Sequence, residues 1–447
     1  MKRFLWLACF LLASPSFSAV FRASEISYRM VNKPCNMQRA TKRSLSFWAP
    51  LDSTTGLSAF GDGLSQAPTF ARATVASFHG ATGVVKVASG VPRFTPNGLL
   101  IEGARTNIET RSEELDNVTY AKSNCSITAD NATAPDGTAT ADKFIEAAGA
   151  SAKYLTKVIT GTASGTNALS CYAKANGRNW LGIGISGSTN DLILHFDIAN
   201  GTVGTASETG GAYSATGEIE AVPGYAGWYR IKAVITTTAD IPIFMFILAS
   251  DADATRSYTG DGASGCWIWG VQYESGGLFV SSYIPTTDLT VTRNQDTLSY
   301  SASRNLPLTA PGSMFKRLMV PFVGAANAGF IASTTSASDE QGVRMDYSNA
   351  TVRSQVLTTT TQANISASSA LVSGVAKRVG MTWALNNVVA YVDGVIKGTD
   401  TVAAMPTGHT AIRLGADGGG STPLYGNISN EMIFLRNLPE SESGMVK

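Results

Sequence analysis

Short apolar stretches recur along the chain, and each is bounded by glycine, proline or small polar residues. In the middle of the chain they lie at residues 169–175, 180–185, 192–197, 228–236, 243–249 and 266–273. Apolar runs of about four to eight residues between turn residues are typical of β-strands, because a helix needs a longer periodic run. The pattern therefore predicts an all-β protein, with a jelly-roll sandwich over residues 108–295.

One of these stretches alternates strictly between polar and apolar positions. Arg230 and Lys232 fall on one face of an extended chain, and Tyr229, Ile231 and Ala233 fall on the other. Successive side chains of a strand point to opposite faces of its sheet. This stretch is therefore predicted to be a half-buried antiparallel strand.

The last third of the chain shows the same pattern. Strand-like stretches lie at residues 314–322, 328–333, 343–347, 353–357, 377–384, 387–392, 411–415 and 430–435. The pair Asp393-Gly394 separates two apolar runs, and an Asp-Gly pair in that position is a strong hairpin signal because both residues tolerate a positive φ. We predict a second antiparallel sandwich over residues 296–447.

The first part of the chain has the layout of a secretory leader. A basic start is followed by an apolar run, Phe4–Ala13, and by small residues that end at Ala19. This pattern predicts a signal peptide at residues 1–19, and the run is too short to span a membrane. A true translation start at Met30 or Met37 is the alternative. Residues 20–107 predict an irregular segment with short strands that wrap onto the next domain.

Length and charge limit the function classes. A chain of 447 residues exceeds what one core needs, so two or three domains are expected. Lys plus Arg total 34 and Asp plus Glu total 33, so nothing drives general attraction to nucleic acid or anionic lipid. We expect no nucleic-acid partner, and we expect any ligand contact to depend on aromatic stacking and to respond little to salt.

Cysteine usage leaves the compartment open. Beyond the leader the cysteines are scattered: Cys35, Cys125, Cys171 and Cys266. Their spacing does not fit a zinc site. Two disulfides and isolated buried thiols are both compatible with this set.

The sequence carries no recognisable catalytic arrangement. The histidines are isolated, at His79, His195 and His409, and no Gly-x-Ser-x-Gly motif accompanies them. The carboxylate pairs Glu218 with Glu220 and Asp251 with Asp253 are each two residues apart, which is typical of a solvated polar face. We predict that the protein is not an enzyme.

A long block before the first predicted sandwich carries a resemblance to a known class. The run from Pro92 to Asn107, PRFTPNGLLIEGARTN, followed by Arg111-Ser112-Glu113-Glu114, resembles a block that recurs in phage tail and other virion proteins. The resemblance implies a tail or fibre appendage with other virion proteins as partners. Local structure is the alternative role for these residues, with an ion pair between Glu102 and Arg105 and a turn capped by Asn107.

The middle block carries a second resemblance. Gly227-Trp228-Tyr229-Arg230-Ile231, Tyr258-Thr259-Gly260-Asp261-Gly262, the run from Trp267 to Glu274 and Ser282-Tyr283-Ile284-Pro285-Thr286 resemble jelly-roll carbohydrate-binding modules. Such modules stack aromatic rings on sugars, and amides and carboxylates fix the hydroxyls. The resemblance implies a glycan site built from Trp180, Trp228, Tyr258, Asp261, Trp267 and Gln272. Burial in a core is the alternative for each aromatic residue, including the face that Trp267 shares with Trp269.

The last block resembles laminin-G-like, concanavalin-like sandwiches. The carrying residues run from Arg378 to Trp383, from Val389 to Gly394, from Ile412 to Ala416 and from Leu424 to Glu442. The resemblance implies the fold and leaves the ligand open. Calcium is retained as a candidate cofactor, with Asp393, Asp400 and Asp417 as oxygen donors, and aspartates that only bond turn backbone are the alternative.

Two functions remain open at this point. The first is a non-catalytic virion appendage that adheres to a host cell-surface glycan, and the second is a secreted bacterial lectin-like adhesin with the same modules. Both place the protein in a virion or outside the cell. A homo-oligomer fits either function, but no heptad or collagen-like repeat specifies one.

Overall fold

The computed structural model describes residues 45–59, 68–162, 164–238, 241–301, 311–321, 330–336, 339–346, 350–358, 360–406, 409–416, 423–434 and 436–438. All regular elements in these ranges are β-strands. The prediction of an all-β chain with antiparallel sandwiches is confirmed. In the part described, no helix is long and apolar enough to cross a bilayer. The predicted leader, Met30, Met37 and Cys35 lie outside the described residues.

The strands are numbered in chain order. The first part of the chain forms β1 (Leu45–Ala49), β2 (Thr69–Ala71), β3 (Ala76–Gly80), β4 (Gly83–Val87), β5 (Arg93–Thr95), β6 (Gly98–Ile101) and β7 (Arg105–Asn107). The middle part forms β8 (Ala121–Ser123), β9 (Cys125–Ala132), β10 (Ala141–Glu146), β11 (Gly149–Ser151), β12 (Lys153–Val158), β13 (Gly165–Asn176), β14 (Trp180–Ser186), β15 (Asp191–Asp197), β16 (Thr202–Thr209), β17 (Tyr213–Ala221), β18 (Trp228–Thr237), β19 (Phe244–Ser250), β20 (Tyr258–Gly260) and β21 (Gly265–Ser275). The last part forms β22 (Val291–Arg293), β23 (Thr297–Ser301), β24 (Gly312–Met319), β25 (Phe330–Ser336), β26 (Asp339–Asp346), β27 (Thr351–Thr358), β28 (Thr360–Ala367), β29 (Lys377–Ala384), β30 (Asn387–Val392), β31 (Val395–Asp400), β32 (Ala411–Leu414) and β33 (Gly426–Phe434).

The middle strands form one sandwich, called here the inserted sandwich. Its front sheet has the order β17-β18-β13-β21-β10-β9, and its back sheet has the order β16-β15-β14-β19-β12-β8. Ile231, Ala233 and Ile235 of β18 point into the core between the two sheets. Arg230 and Lys232 lie on the opposite face of the same strand, as the alternation predicted.

The second sandwich, called here the composite sandwich, takes strands from both ends of the described chain. One sheet has the order β31-β30-β29-β24-β33-β6-β5, with β1 also paired to β33, and the other has the order β2-β23-β32-β25-β26-β27-β28. Leu45 pairs with Phe434, and Leu99 pairs with Ile428. Residues 20–107 were expected to form a separate segment on the next domain. The described strands β1, β2, β5 and β6 instead complete the composite sandwich: β1, β2 and β6 pair with strands more than 200 residues further along the chain, and β5 pairs with β6.

The two chain crossings between the sandwiches lie side by side. Strand β7 enters the inserted sandwich, strand β22 leaves it, and the two pair antiparallel through Asn107 with Val291 and Arg105 with Arg293. The inserted sandwich is therefore held by two neighbouring strands.

A buried ion cluster lies at the root of these crossings. Arg93 Nη1 and Arg293 Nη1 each lie 2.6 Å from Glu102 Oε2. Asp296 binds Arg93 through one oxygen and Arg72 Nη1 at 2.9 Å through the other. Burial alone would raise the pKa of Glu102, but the guanidiniums of Arg293 and Arg93 outweigh it and lower this pKa to about 2. The domain boundary predicted at 295/296 thus falls inside a buried cluster.

The cluster explains two charged residues of the block at residues 92–107, Arg93 and Glu102. The alternative of an ion pair between Glu102 and Arg105 is wrong, since Arg105 lies over the rings of Phe279 and Tyr425, at 5.0 and 5.2 Å from their centroids. The turn role of Asn107 is confirmed, because its Oδ1 accepts the backbone N–H of Glu109 at 3.0 Å.

Candidate functional site

The outer face of the front sheet is largely covered by the hairpin β3–β4. His79 of this hairpin bridges the sheet, with Nε2 2.9 Å from Tyr172 Oη and Nδ1 3.2 Å from Glu220 Oε1. Lys86 lies over the ring of Trp269 at 5.4 Å and binds Asp136 Oδ2 at 2.8 Å. The hairpin therefore converts most of this face into a second core.

Trp267 and Trp269 point to the same face of β21 but have different fates. Trp269 is fully buried among Tyr172 and Tyr283, and its Nε1 donates to Thr140 Oγ1 at 3.0 Å. Trp267 lies at the margin of the hairpin and is partly exposed. This face of β21 is therefore core at Trp269 and partly exposed surface at Trp267.

Trp267 borders an open depression of about 380 Å³ at one end of the front sheet. The lining residues are Ala132, Thr133, Lys174, Gly224, Tyr225, Ala226, Trp228 and Trp267. The indole is held in place because its Nε1 donates to Asn131 Oδ1 at 3.0 Å. The ammonium of Lys174 lies 5.9 Å from the ring centroid of Trp267. Trp228 is 3% exposed, so it forms part of the floor.

These residues form a row across the front sheet. Lys174 of β13 pairs with Trp228 of β18 on one side and with Trp267 of β21 on the other. Trp267 in turn pairs with Lys143 of β10. Directly opposed residues in antiparallel strands project from the same face. The result is an alternating row of aromatic and cationic side chains.

The wall that carries Tyr225 is a tight loop held from two sides. The backbone N–H of Tyr225 donates to Val222 O at 3.2 Å, and that of Trp228 donates to Tyr225 O at 3.0 Å. Gly83 of the hairpin allows the close approach, since a Cβ there would lie 2.2 Å from Pro135 O and 2.5 Å from the Tyr225 ring. Strand pairing and glycine packing together fix the shape of the depression.

Tyr258 and Asp261 lie together, but away from the residues that line this depression. Glu146 is buried and accepts the hydroxyl of Tyr258 at 2.5 Å, the backbone N–H of Asp261 at 2.7 Å and Arg178 Nη2 at 2.6 Å. Burial and the neighbouring carboxylate raise the pKa of Tyr258. The carboxylate of Asp261 accepts the N–H groups of Ala263 and Ser264, both at 2.8 Å. The side chains of Tyr258 and Asp261 are therefore both bonded to other residues of the protein, and these bonds close the 258–265 loop.

Trp180 and Gln272 lie elsewhere again. Trp180 begins β14 of the back sheet, on the other side of the core from Trp267. Gln272 is fully buried, and its amide donates to Ser282 O at 3.4 Å and accepts the N–H of Ile284 at 2.7 Å. The structure thus places Trp228 and Trp267 together, while Gln272 has no surface with which to meet a ligand.

Sequence reasoning did not single out Lys143, Lys174, Tyr225 or Asn131. Alternation with buried Ala173 shows that Lys174 points away from the core. That signal is local, whereas the contact between Lys174 and Trp267 depends on a strand pairing about 90 residues apart. Pattern alone does not give such a pairing.

Three of the four carboxylates considered for catalysis are engaged in other contacts. Lys232 Nζ lies 3.2 Å from Glu218 and 2.8 Å from Glu220. Asp253 accepts the N–H and the hydroxyl of Thr205, both at 2.8 Å. Across the described ranges, no group of three or more His, Cys, Asp and Glu side chains could hold a metal.

The candidate calcium donors are turn residues where the structure describes them. Asp393 accepts the N–H of Arg378 at 3.0 Å, and Asp400 accepts the N–H of Val402 at 2.9 Å. Asp417 lies outside the described residues. Both contacts match the alternative of aspartates bonded to backbone.

The described cysteines carry free thiols. They are Cys125, Cys171 and Cys266. Burial raises the pKa of Cys171 to about 12 and that of Cys125 to about 11. Of the two alternatives, these three residues follow that of separate, largely buried thiols.

Comparisons with known proteins give partial structural likenesses. A scan against protein-family models found no match, and neither did a search among curated proteins. The solved structures include the CBM40 domain of the Ruminococcus gnavus IT-sialidase, bound to alpha2,3 sialyllactose, at 12% identity and a TM-score of 0.27, covering 33% of this chain and 92% of that one. The botulinum neurotoxin serotype D binding domain is similar at 14% identity and a TM-score of 0.28, covering 34% of this chain and 40% of that one. A Trypanosoma rangeli sialidase mutant aligns at 15% identity and a TM-score of 0.27, covering 34% of this chain and 27% of that one.

Proposed function

We propose that the protein is a non-catalytic glycan-binding protein whose sugar site is the depression beside Trp267. The observation that carries the proposal is a partly exposed indole, fixed by Asn131, at the edge of an open depression whose wall includes Tyr225. An aromatic face stacks against the apolar face of a sugar ring, and neighbouring polar groups bind its hydroxyls.

The site is organised before any ligand arrives. Trp267 is restrained by its hydrogen bond to Asn131, and Tyr225 is restrained by the hairpin β3–β4. A ligand therefore does not have to order these rings on binding, and the entropic cost of association is reduced. Such rigidity supports a binding function for the surface.

The proposal extends to the biological setting in which the protein binds glycan. We favour a virion appendage that adheres to host surface glycans, on the resemblance of residues 92–107, with a secreted lectin-like adhesin as the second candidate, on the leader pattern. Mass spectrometry of purified particles and of culture supernatant separates the two. A full-length chain in particles supports the first candidate, and a chain lacking residues 1–19 in the particle-free supernatant supports the second.

The glycan site is tested by replacing Trp267 with Ala in the full chain. Loss of the stacking ring should weaken glycan binding by about 1–3 kcal/mol, as measured on a glycan array and by titration calorimetry. Trp180→Ala is the matched control, because it removes the same side chain from the back sheet. Equal binding by Trp267→Ala and the parent chain would overturn the proposal.

A further inference from the structure

Two lysines lie on either side of the Trp267 ring. Lys174 and Lys143 are its direct cross-strand partners on β13 and β10. All three side chains project from the outer face of the front sheet, and all three are partly exposed. The aromatic surface is therefore flanked by positive charge on both sides.

Neither ammonium is compensated within the part of the chain that the structure describes. Lys174 contacts the Trp267 ring and forms no ion pair or hydrogen bond there, and Lys143 likewise forms no ion pair or hydrogen bond. Other lysines on this face differ, since Lys232 binds two glutamates and Lys86 binds Asp136. The residues that line the depression include no acidic side chain.

We infer that the ligand is an anionic glycan, in which a sugar ring stacks on Trp267 and a carboxylate, sulfate or phosphate group on that sugar lies against Lys174, with Lys143 on the far side of the ring. This inference rests on the proposed function of the same depression. A hydrogen bond to a charged group is stronger than one to a neutral hydroxyl. The near-neutral sequence predicted little salt dependence, but that prediction counted net charge and not two unpaired lysines brought together by the fold.

The test compares neutral oligosaccharides with their sialylated, sulfated, phosphorylated and uronic-acid counterparts on an array, using the full chain. We expect at least one acidic member to bind about tenfold more tightly than its neutral partner, and the four acid types identify which anion is recognised. Raising the salt from about 0.1 M to about 1 M shortens the screening length from about 10 Å to about 3 Å, and should weaken the acidic pair member selectively.

Charge-removing variants separate this inference from the proposed function. Lys174→Gln should remove most of the preference for the acidic member over its neutral partner, whereas Lys174→Arg should retain the preference. Lys122→Gln is the control, because it removes one charge from an exposed lysine on the edge strand of the back sheet. Equal binding of neutral and acidic members, or an acidic preference that survives in Lys174→Gln, overturns the inference. Trp267→Ala then still decides whether the depression binds glycan at all.

Discussion

Chemically identical side chains are buried to different extents in this protein. Trp267 and Trp269 are two residues apart on one strand, and a hairpin about 190 residues earlier in the chain covers only the second. Lys316 also differs from the lysines of the front sheet, which are at least partly exposed. Its side chain is fully buried in the composite sandwich, 3.3 Å from Glu431 Oε2. Burial lowers the pKa of Lys316 to about 8 and raises that of Glu431.

The pair of Lys316 and Glu431 gives the residue-level prediction. Lys316→Met leaves a buried carboxylate without its partner, and we expect the free energy of unfolding to fall by about 3–5 kcal/mol in urea denaturation. The double variant Lys316→Met with Glu431→Leu should recover most of the loss, because no charge is left in the core. Lys377→Met, which removes an exposed partner of Asp393, should change stability by less than about 1 kcal/mol. A Lys316→Met variant as stable as the parent chain would contradict this prediction.

At the scale of strands and turns, local pattern carried much of the information. The hairpin predicted at Asp393-Gly394 is confirmed, with φ of 51° and 78° and with Val392 paired to Val395. The antiparallel strand and the alternation predicted around Ile231 are also confirmed, but Arg230 on the outer face is buried as well. The partners of strands were not predictable in this way, because β1 and β6 pair with β33 across more than 300 residues. For the same reason the sequence did not show that Trp180 and Trp267 lie on different sheets.

Strand β15 carries the pH-dependent prediction. His195 is fully buried there, with Nε2 3.1 Å from Ser207 Oγ and with Asp253 and Arg256 nearby. Burial lowers its pKa from 6.5 to about 4, so the folded protein holds a neutral imidazole at a pH where the unfolded chain binds a proton.

Stability should therefore fall as the pH decreases from about 6.5 towards about 4, by up to about 3 kcal/mol from this residue. Urea midpoints measured across this range should decrease less steeply for His195→Gln than for the parent chain, since the variant has no proton to gain. Carboxylates remote from His195 titrate equally in both proteins and cancel in the difference. Parallel curves would show that His195 does not contribute.

At the scale of the whole molecule, the two sandwiches are joined more firmly than the sequence suggested. A domain boundary was predicted at 295/296, and Asp296 and Arg293 on either side of it are both fully buried in the ion cluster. The cluster draws its charges from residues 72 to 296, so no local stretch shows that they meet. The sequence showed only that residues 92–107 resemble a recurrent block, and not that charged residues of this block meet in a cluster.

Glu102→Gln tests this connection. The substitution leaves Arg93, Arg293 and Arg72 with one carboxylate, and the free energy of unfolding should fall by about 3–5 kcal/mol. Calorimetry should show one coupled transition for the parent chain and two separate transitions for the variant. Glu114→Gln, which removes the partly exposed partner of Arg111, is the control and should leave the single transition in place. Two transitions in the parent chain would contradict the coupling.

The paired crossings β7 and β22 also have a mechanical consequence. A domain attached through a single stretch of chain can rotate about the single bonds of that stretch. A force on such a domain is therefore transmitted without torque. Here the inserted sandwich is attached through two adjacent hydrogen-bonded strands, whose base is fixed by Glu102 and three arginine side chains around it. A lateral force on the inserted sandwich is therefore transmitted to the composite sandwich as a torque. The depression beside Trp267 keeps its orientation while the force is applied.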